Sequence, residues 1–132
     1  MIDYSAIRAL QAYCFQNAVD KGFHADRPYT DKELVPYQGN KMMLMVGELS
    51  EAHEELRKGH PVTETYYPTA AGQTRYYNDG KLFKPEGVPS ELADTVIRIL
   101  DFCGAEGIDL ASMIEEKLAY NASREYLHGK KF

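Results

Sequence analysis

Apolar positions in this chain recur every three or four residues in four separate stretches, and this is the period of an amphipathic α-helix. Gly22 follows the first stretch, and Gly59 with Pro61 follows the second, so both predicted helices have a clear end. Asp109 is the predicted N-cap of the last helix. The pattern predicts helices over about residues 3–21, about 40–58, from Pro89 to about Cys103, and from 110 to about 129.

Two stretches between these helices lack a helical period. Residues 23–39 contain Pro28, Pro36 and Gly39, and this favours a loop. Residues 60–88 are rich in Tyr and Thr, and Asn78-Asp79-Gly80 is a strong signal for a tight turn between 75–77 and 81–83. We therefore expect an all-α fold, a four-helix bundle, with a short β-hairpin-like insertion between helices 2 and 3.

The size and composition fit one globular domain over residues 1–132, with the insertion at about 60–88. Hydrophobic residues make up 44% and charged residues 27%, which excludes a disordered chain. No apolar run approaches the ~20 residues needed to span a bilayer, so we expect a soluble, cytoplasmic protein without a membrane partner. The formal net charge of -5 argues against nucleic acid as a partner, because such binding depends on neutralising phosphates.

Three carboxylates of the second predicted helix share one face. Glu48, Glu51 and Glu55 fall within about 60° of each other at 100° per residue. Aligned acids repel, and a bound cation would relieve that repulsion. Glu91 and Asp94 share a face of the third helix in the same way. Oxygen ligands suit magnesium or manganese. A solvated acidic face is the alternative, and Glu91 also favours the helix dipole.

A polar line with positive charge follows on the fourth helix. Lys117, Asn121 and Arg124 continue the apolar stripe of that helix, so we expect them to point inward or towards a cleft. Lys and Arg can bind phosphate oxygens, and Asn can form a hydrogen bond to the sugar or to a phosphate. The alternative is that the long basic side chains reach out to solvent from these positions. On the first helix, Gln11 lies on the inward line and could contact a base or satisfy the backbone.

In this order the motifs resemble those of the MazG-like, all-α nucleoside triphosphate pyrophosphohydrolases. The resemblance covers roughly residues 5–22, 40–58 and 87–130. Its elements are Lys41 and Glu48-Leu-Ser-Glu51 on helix 2, Glu91-Leu-Ala-Asp94 on helix 3, and Lys117, Asn121 and Arg124 on helix 4. The stretch from Glu51 to Glu91 is longer than the usual linker of the family, and the excess is the Tyr-rich insertion.

The resemblance implies hydrolysis of a nucleoside triphosphate between its α- and β-phosphates, giving the monophosphate and pyrophosphate. It implies Mg²⁺, with Mn²⁺ as a substitute, held by Glu48, Glu51, Glu91 and Asp94. Glu51 or Glu55 would orient or deprotonate the attacking water. The substrate-binding residues that it implies are Gln11, Lys41, Lys117, Asn121 and Arg124.

Short members from phages and actinobacteria look most similar, which suggests a bacterial or phage-infected host cell. Some phage members act on dGTP, so dGTP is one candidate substrate. The resemblance, together with the small core, also predicts a homodimer or homotetramer. Its interface would include the aromatic insertion, Tyr66, Tyr67, Tyr76, Tyr77 and Phe83, unless that insertion folds over its own active site as a lid.

Two other functions are compatible with helices that carry carboxylates. A ferritin-like di-iron centre expects Glu-x-x-His on two helices, and here only Glu125-x-x-His128 has that spacing. The remaining alternative is a non-catalytic interaction or oligomerisation module with an acidic face. Metal-dependent release of pyrophosphate distinguishes the enzyme from this module.

Overall fold

The computed structural model describes residues 2–77 and 82–131. In this part of the chain the elements are four α-helices and one two-stranded antiparallel sheet, followed by a short 3₁₀ helix, Tyr126–Gly129. The helices are α1 (Ser5–Asp20), α2 (Asp31–Arg57), α3 (Val88–Glu106) and α4 (Leu110–Ser123), and the strands are β1 (Tyr67–Pro68) and β2 (Thr74–Arg75). The predicted fold class, four helices with a short β insertion between the second and third, is confirmed.

Helix α2 begins nine residues earlier than the sequence pattern predicts, so the predicted loop over 23–39 is wrong from Asp31 onward. Thr30 has extended backbone angles, φ -103 and ψ 143, as expected just before a helix. Its hydroxyl donates to Glu33 at 3.1 Å, and Asp31 and Glu33 favour the positive end of the helix dipole. Pro36 removes one backbone hydrogen bond near this end, a cost that the long helix tolerates.

Strands β1 and β2 form the small hairpin of the insertion. Tyr67 pairs with Arg75, and Pro68 pairs with Thr74. The turn between them closes where the hydroxyl of Thr69 accepts from the backbone N–H of Gln73 at 3.2 Å. The predicted turn at 78–80 lies outside the described residues. The hairpin that the structure describes has its turn earlier in the chain, between Pro68 and Thr74.

The backbone contacts divide the chain into two compact units, Met1–Ala25 with Leu100–Phe132, and Asp26–Ile99. In the first unit α1 packs on α4, and a small core forms from Cys14, Ala18, Leu100, Cys103 and Ala111. Asp109 caps α4, as predicted, by accepting from the backbone N–H of Ser112 at 3.4 Å. Arg8 pairs with Asp109 at 3.1 Å.

Helix α4 is shorter than predicted. It ends at Ser123, and Arg124 follows in an extended conformation. Leu127 and His128 have φ 53 and φ 52, in the left-handed region that L residues rarely adopt. The apolar spacing that predicted a helix to about 129 therefore belongs to a short 3₁₀ helix beyond a break.

In the second unit, α2 buries two of its acids, Glu48 and Glu55, and exposes much of its apolar stripe. Glu48, Ala52 and Glu55 are the buried residues of α2. Met42 and Leu49 are 51% and 48% exposed. The expected core stripe of this helix is therefore only partly buried, since Ala52 is buried and Met45 is half-buried, whereas Met42, Leu49 and Leu56 are exposed. No helix among residues 2–77 and 82–131 has the length and apolar character needed to cross a bilayer.

Candidate metal centre

Three carboxylates of the second unit meet at one point. Glu48 comes from the second half of α2, Glu91 from the first turn of α3, and Asp94 from the position three residues later, on the same face. One oxygen from each lies within 4.8 Å of the others. Glu48 and Glu91 are 9% and 5% exposed, and Asp94 lies at the exposed edge. The structure thus brings together three of the four residues predicted as metal ligands.

Glu91 is the least compensated carboxyl group of the three. Burial, and then the neighbouring carboxyls of Glu48 and Glu51, raise its pKa to about 7. Its Oε2 atom is buried and has no hydrogen-bond partner within the described chain. A buried acid in this situation costs free energy unless a proton or a cation joins it.

Glu48 has a partner of opposite charge. Arg98 Nε donates to Glu48 Oε1 at 2.6 Å. Burial by itself would raise the pKa of Glu48, but the hydrogen bonds from Arg98 and Glu91 outweigh it and lower the pKa. The pKa of Asp94 is raised by desolvation and by the charge of Glu48. Arg98 therefore supplies one positive charge to a cluster of three carboxyl groups.

The donor set fits a hard divalent cation. All three ligands are carboxylate oxygens, the type that Mg²⁺ and Mn²⁺ prefer. Ligands of one octahedral Mg²⁺ lie about 3.0 Å apart when adjacent and about 4.2 Å apart when opposite, so the three oxygens, within 4.8 Å of one another, would move closer together on binding one ion. Asp94 at the exposed edge leaves room for water or phosphate oxygens to complete the coordination.

The other two acids of the α2 line have different surroundings. Glu51 is exposed, yet lies near enough to Glu91 to raise its pKa. Glu55 is 6% exposed, and the hydroxyl of Tyr66 donates to its two oxygens at 3.1 and 2.8 Å. A cavity of about 270 Å³ is lined by Glu51, Glu54, Glu55, Lys58, Glu86 and Glu91.

Three residues at this site were not predicted as site residues, although Tyr66 was named as part of an insertion that forms an interface or a lid. Arg98 lies one helical turn after Asp94, and this spacing could have identified it as a partner of the acidic line. Tyr66 and His60 reach Glu55 from the insertion, where no hydrophobic period links them to α2. Their contacts depend on how the insertion folds back, so sequence spacing carries no signal for them.

The predicted substrate-binding residues on α1 and α2 have ordinary partners. Gln11 donates from Nε2 to the carbonyl of Ile108 at 2.8 Å, so its amide satisfies the backbone, which was one of the two alternatives. Lys41 Nζ lies 5.0 Å from the centroid of the Tyr37 ring. Neither contact requires a substrate.

The predicted phosphate-binding residues belong to the first unit. Lys117 and Asn121 lie on α4, and Arg124 lies just beyond its end. All three are exposed rather than directed inward. The charged groups of Lys117 and Arg124 each lie 5.7 Å from the centroid of the Tyr120 ring, on which they form cation–π contacts.

Comparison of the chain with protein-family models, with curated proteins and with solved structures gave no match.

Proposed function

We propose that the chain is a nucleoside triphosphate pyrophosphohydrolase, a hydrolase of phosphoric anhydrides that depends on Mg²⁺ or Mn²⁺. The observation that carries this proposal is the cluster of Glu48, Glu91 and Asp94, with its buried oxygen on Glu91 that has no partner among the described residues. A cation at this point would satisfy that oxygen. The resemblance of the motifs to the MazG-like enzymes supplies the substrate class.

The proposed reaction needs few protein groups. A divalent cation bound by the cluster would neutralise triphosphate charge and lower the pKa of a nearby water. The protein's own part is to orient that water and to accept its proton, for which Glu51 and Glu55 are the candidates. The water oxygen attacks the α-phosphorus, the bond from that phosphorus to the bridging oxygen breaks, and pyrophosphate leaves. Arg98 keeps Glu48 charged and oriented for the cation.

The basic residues near the end of α4 form a separate part of the proposal. Lys117 and Arg124 are exposed cations, and Asn121 offers both a donor and an acceptor. Such groups bind phosphate oxygens through charge-assisted hydrogen bonds. Their role in phosphate binding is supported by the resemblance to the MazG-like enzymes. The same resemblance makes dGTP a candidate substrate.

A non-catalytic module for interaction or assembly is the second candidate, and a specific observation favours it. Large apolar residues on α2 and α3 are about half exposed, among them Leu49 at 48% and Val96 at 50%. Surfaces of this kind mark protein–protein contacts. Assembly and catalysis are compatible, so we propose that the chain forms a homodimer or homotetramer in either case.

Screening the eight common ribo- and deoxynucleoside triphosphates for pyrophosphate release tests the enzymatic proposal. We expect turnover of at least one of them with Mg²⁺ or Mn²⁺, poor turnover with Ca²⁺, and no turnover in excess chelator. Pyrophosphate and the monophosphate should appear in equal amounts. Absence of hydrolysis for all eight, or equal rates in chelator, would contradict the proposal and favour the interaction module.

Variants of the cluster separate cation binding from turnover. Glu91→Gln and Asp94→Asn should abolish turnover and reduce the rise in melting temperature that Mn²⁺ causes in the parent protein. Glu48→Gln should do the same, but it also leaves Arg98 without its anionic partner. Glu115→Gln, an exposed position on α4, is the matched control and should change neither quantity. Parental activity in Glu91→Gln would exclude the cluster as the metal site.

A further inference from the structure

We infer that Tyr66 and His60 are positioning residues for Glu55, and that Glu55 accepts the proton of the attacking water. This inference rests on the proposed function and chooses between the two candidate bases, Glu51 and Glu55. It also assigns a role to the insertion: one of its tyrosines completes the reaction site. Glu55 is the catalytic residue here, and Tyr66 and His60 act through it.

Tyr66 makes the direct contact. Its hydroxyl donates to Glu55 Oε2 at 2.8 Å and to Oε1 at 3.1 Å. A single donor shared by both oxygens restrains rotation of the carboxylate about its last bond. Each oxygen retains a lone pair that can accept from water. The carboxylate is therefore oriented without being fully occupied.

His60 packs against Tyr66. Its ring stacks on the Tyr66 ring with centroids 4.5 Å apart and an angle of 14° between the planes. Its Nδ1 lies 2.6 Å from Glu64 Oε1. Its Nε2 lies 3.6 Å from Glu55 Oε2, beyond a good hydrogen bond. The histidine thus fixes the tyrosine ring, and the tyrosine fixes the carboxylate.

The backbone holds Tyr66 in this place. The Tyr66 N–H donates to the carbonyl of Glu86 at 3.1 Å, and the Glu86 N–H donates back at 2.8 Å. Glu86 stands two residues before α3 and lines the same cavity as Glu55. The insertion is therefore tied to the start of the helix that carries Glu91 and Asp94.

The location of Glu55 suits a base rather than a metal ligand. It lies two helical turns, about 10 Å along the axis, from Glu48, and it is not part of the three-carboxylate cluster. Both Glu55 and Glu91 line the cavity of about 270 Å³. A phosphate group bound beside Glu91 would therefore share that cavity with Glu55.

The proposed hydrolysis needs no reactant other than the triphosphate and one water molecule. The water oxygen bonds to the α-phosphorus while its proton passes to Glu55, and pyrophosphate leaves with the electron pair of the broken phosphorus–oxygen bond. Tyr66 remains protonated throughout, since burial and then the hydrogen bond to Glu55 raise its pKa to about 12. The phenol is therefore a donor and not a competing base.

Tyr66→Phe is the decisive variant, because it removes one oxygen and keeps the ring that stacks on His60. We expect kcat to fall at least tenfold, with KM within about twofold and with Mn²⁺ affinity unchanged by direct titration. Tyr76→Phe, an exposed tyrosine of the same insertion, is the matched control and should behave as the parent. Glu55→Gln should lose about 10²-fold or more of kcat, as expected for removal of a general base.

A double-mutant cycle distinguishes positioning from general stabilisation. Adding Tyr66→Phe to Glu55→Gln should cause no further loss of kcat, because both changes affect one interaction. Parental kcat in Tyr66→Phe, an equal loss in both backgrounds, or a fall in Mn²⁺ affinity would each overturn the inference. If the parent is active and one of these outcomes is found, the inference is wrong but the proposed function stands. If the parent does not hydrolyse any triphosphate, the proposed function itself is wrong.

Discussion

Two glutamates with the same chemistry have different electrostatic environments in this protein. Glu48 is held by the guanidinium of Arg98, and its pKa is lowered; Glu91 has no such partner in the described chain, and its pKa rises to about 7. Repulsion along the acidic lines is therefore concentrated at Glu91. Glu48→Gln would relieve repulsion between carboxylates, but it would also leave Arg98 without its anionic partner. We therefore expect this variant not to stabilise the metal-free protein.

Asp109 makes a pH-dependent contribution to the stability of the first unit. Hydrogen bonds from Ser112 and Arg8 lower its pKa from the ordinary value of 3.8 to about 2. A group with a lowered folded-state pKa stabilises the fold above its unfolded pKa, and this contribution disappears as pH falls from about 4 through about 2. We expect the free energy of unfolding of the parent to fall over this range more steeply than that of Asp109→Asn.

Urea unfolding at several pH values between 2 and 6 measures this difference. Asparagine is also a good N-cap, so the substitution removes the charge while retaining a capping side chain. Asp20→Asn, whose side chain accepts from Gln16 within α1, is a control in an exposed acidic position. If parent and Asp109→Asn differ as much at pH 2 as at pH 6, the ion pair with Arg8 is not the source.

At the scale of elements, two glycines of the second unit have opposite structural roles. Gly87, just before α3, has φ +114, and a Cβ there would clash with the carbonyl oxygen of Glu64. The close contact joins the insertion to the start of α3. Gly39 lies inside α2, where a Cβ would meet no atom of the described chain within 4 Å.

Alanine at these positions should have effects of opposite sign. Gly87→Ala should destabilise the protein by at least about 1–3 kcal/mol, the cost of a strained backbone conformation, with the steric clash added. Gly39→Ala should stabilise it by about 1 kcal/mol, because glycine is a poor helix former. Thermal unfolding of both variants against the parent measures the two changes. Destabilisation by Gly39→Ala would place residue 39 in a loop and refute the early start of α2.

At the scale of the molecule, the exposed apolar side chains of α2 and α3 would be stabilised by burial in an interface. Leu49 and Val96 belong to the second unit and are about half exposed. Burial in an interface contributes about 25 cal/mol per Å² of apolar surface. A second copy of the chain is the partner that we propose.

Light scattering coupled to size exclusion should therefore show a dimer or tetramer. Leu49→Glu should shift the protein towards monomer, because a charge would be buried in the interface. Asn40→Glu adds the same charge on the opposite side of α2, half a turn away at 100° per residue, and should leave the assembly intact. A monomeric parent at micromolar concentration, or equal effects of both variants, would argue against this interface.

The insertion carries two kinds of aromatic side chain, one that contacts Glu55 and two that are exposed. Tyr66 contacts Glu55 of its own chain, as a lid would, while Tyr76 and Tyr77 are 64% and 62% exposed. Replacing 67–77 with a Gly/Ser linker would therefore preserve Tyr66 while removing the exposed pair. This separates the interface role of the insertion from its role at Glu55.

The helices, and the carboxylates that share a helix face, could be predicted from sequence because both depend on local spacing. A helical period places Glu91 and Asp94 on one face, and Glu48 in line with Glu51, whatever surrounds them. Gly59 and Asp109 mark a helix end and a helix start through backbone effects that act within a few residues. The predicted start of α2 was wrong because the local signals conflict. Pro36 and Gly39 favour a loop, while Thr30 and Asp31 favour the start of a helix.

The remaining features depend on contacts between residues distant in sequence. The bond of Tyr66 to Glu55 arises because the insertion pairs with Glu86 before α3 begins. The burial of Glu48 and Glu55, and the exposure of Leu49, depend on how far α2 is rotated towards its neighbours. Spacing fixes which residues share a face, but packing decides which face is buried. The difference in pKa between Glu48 and Glu91 follows from that packing, because it alone places Arg98 beside one of them.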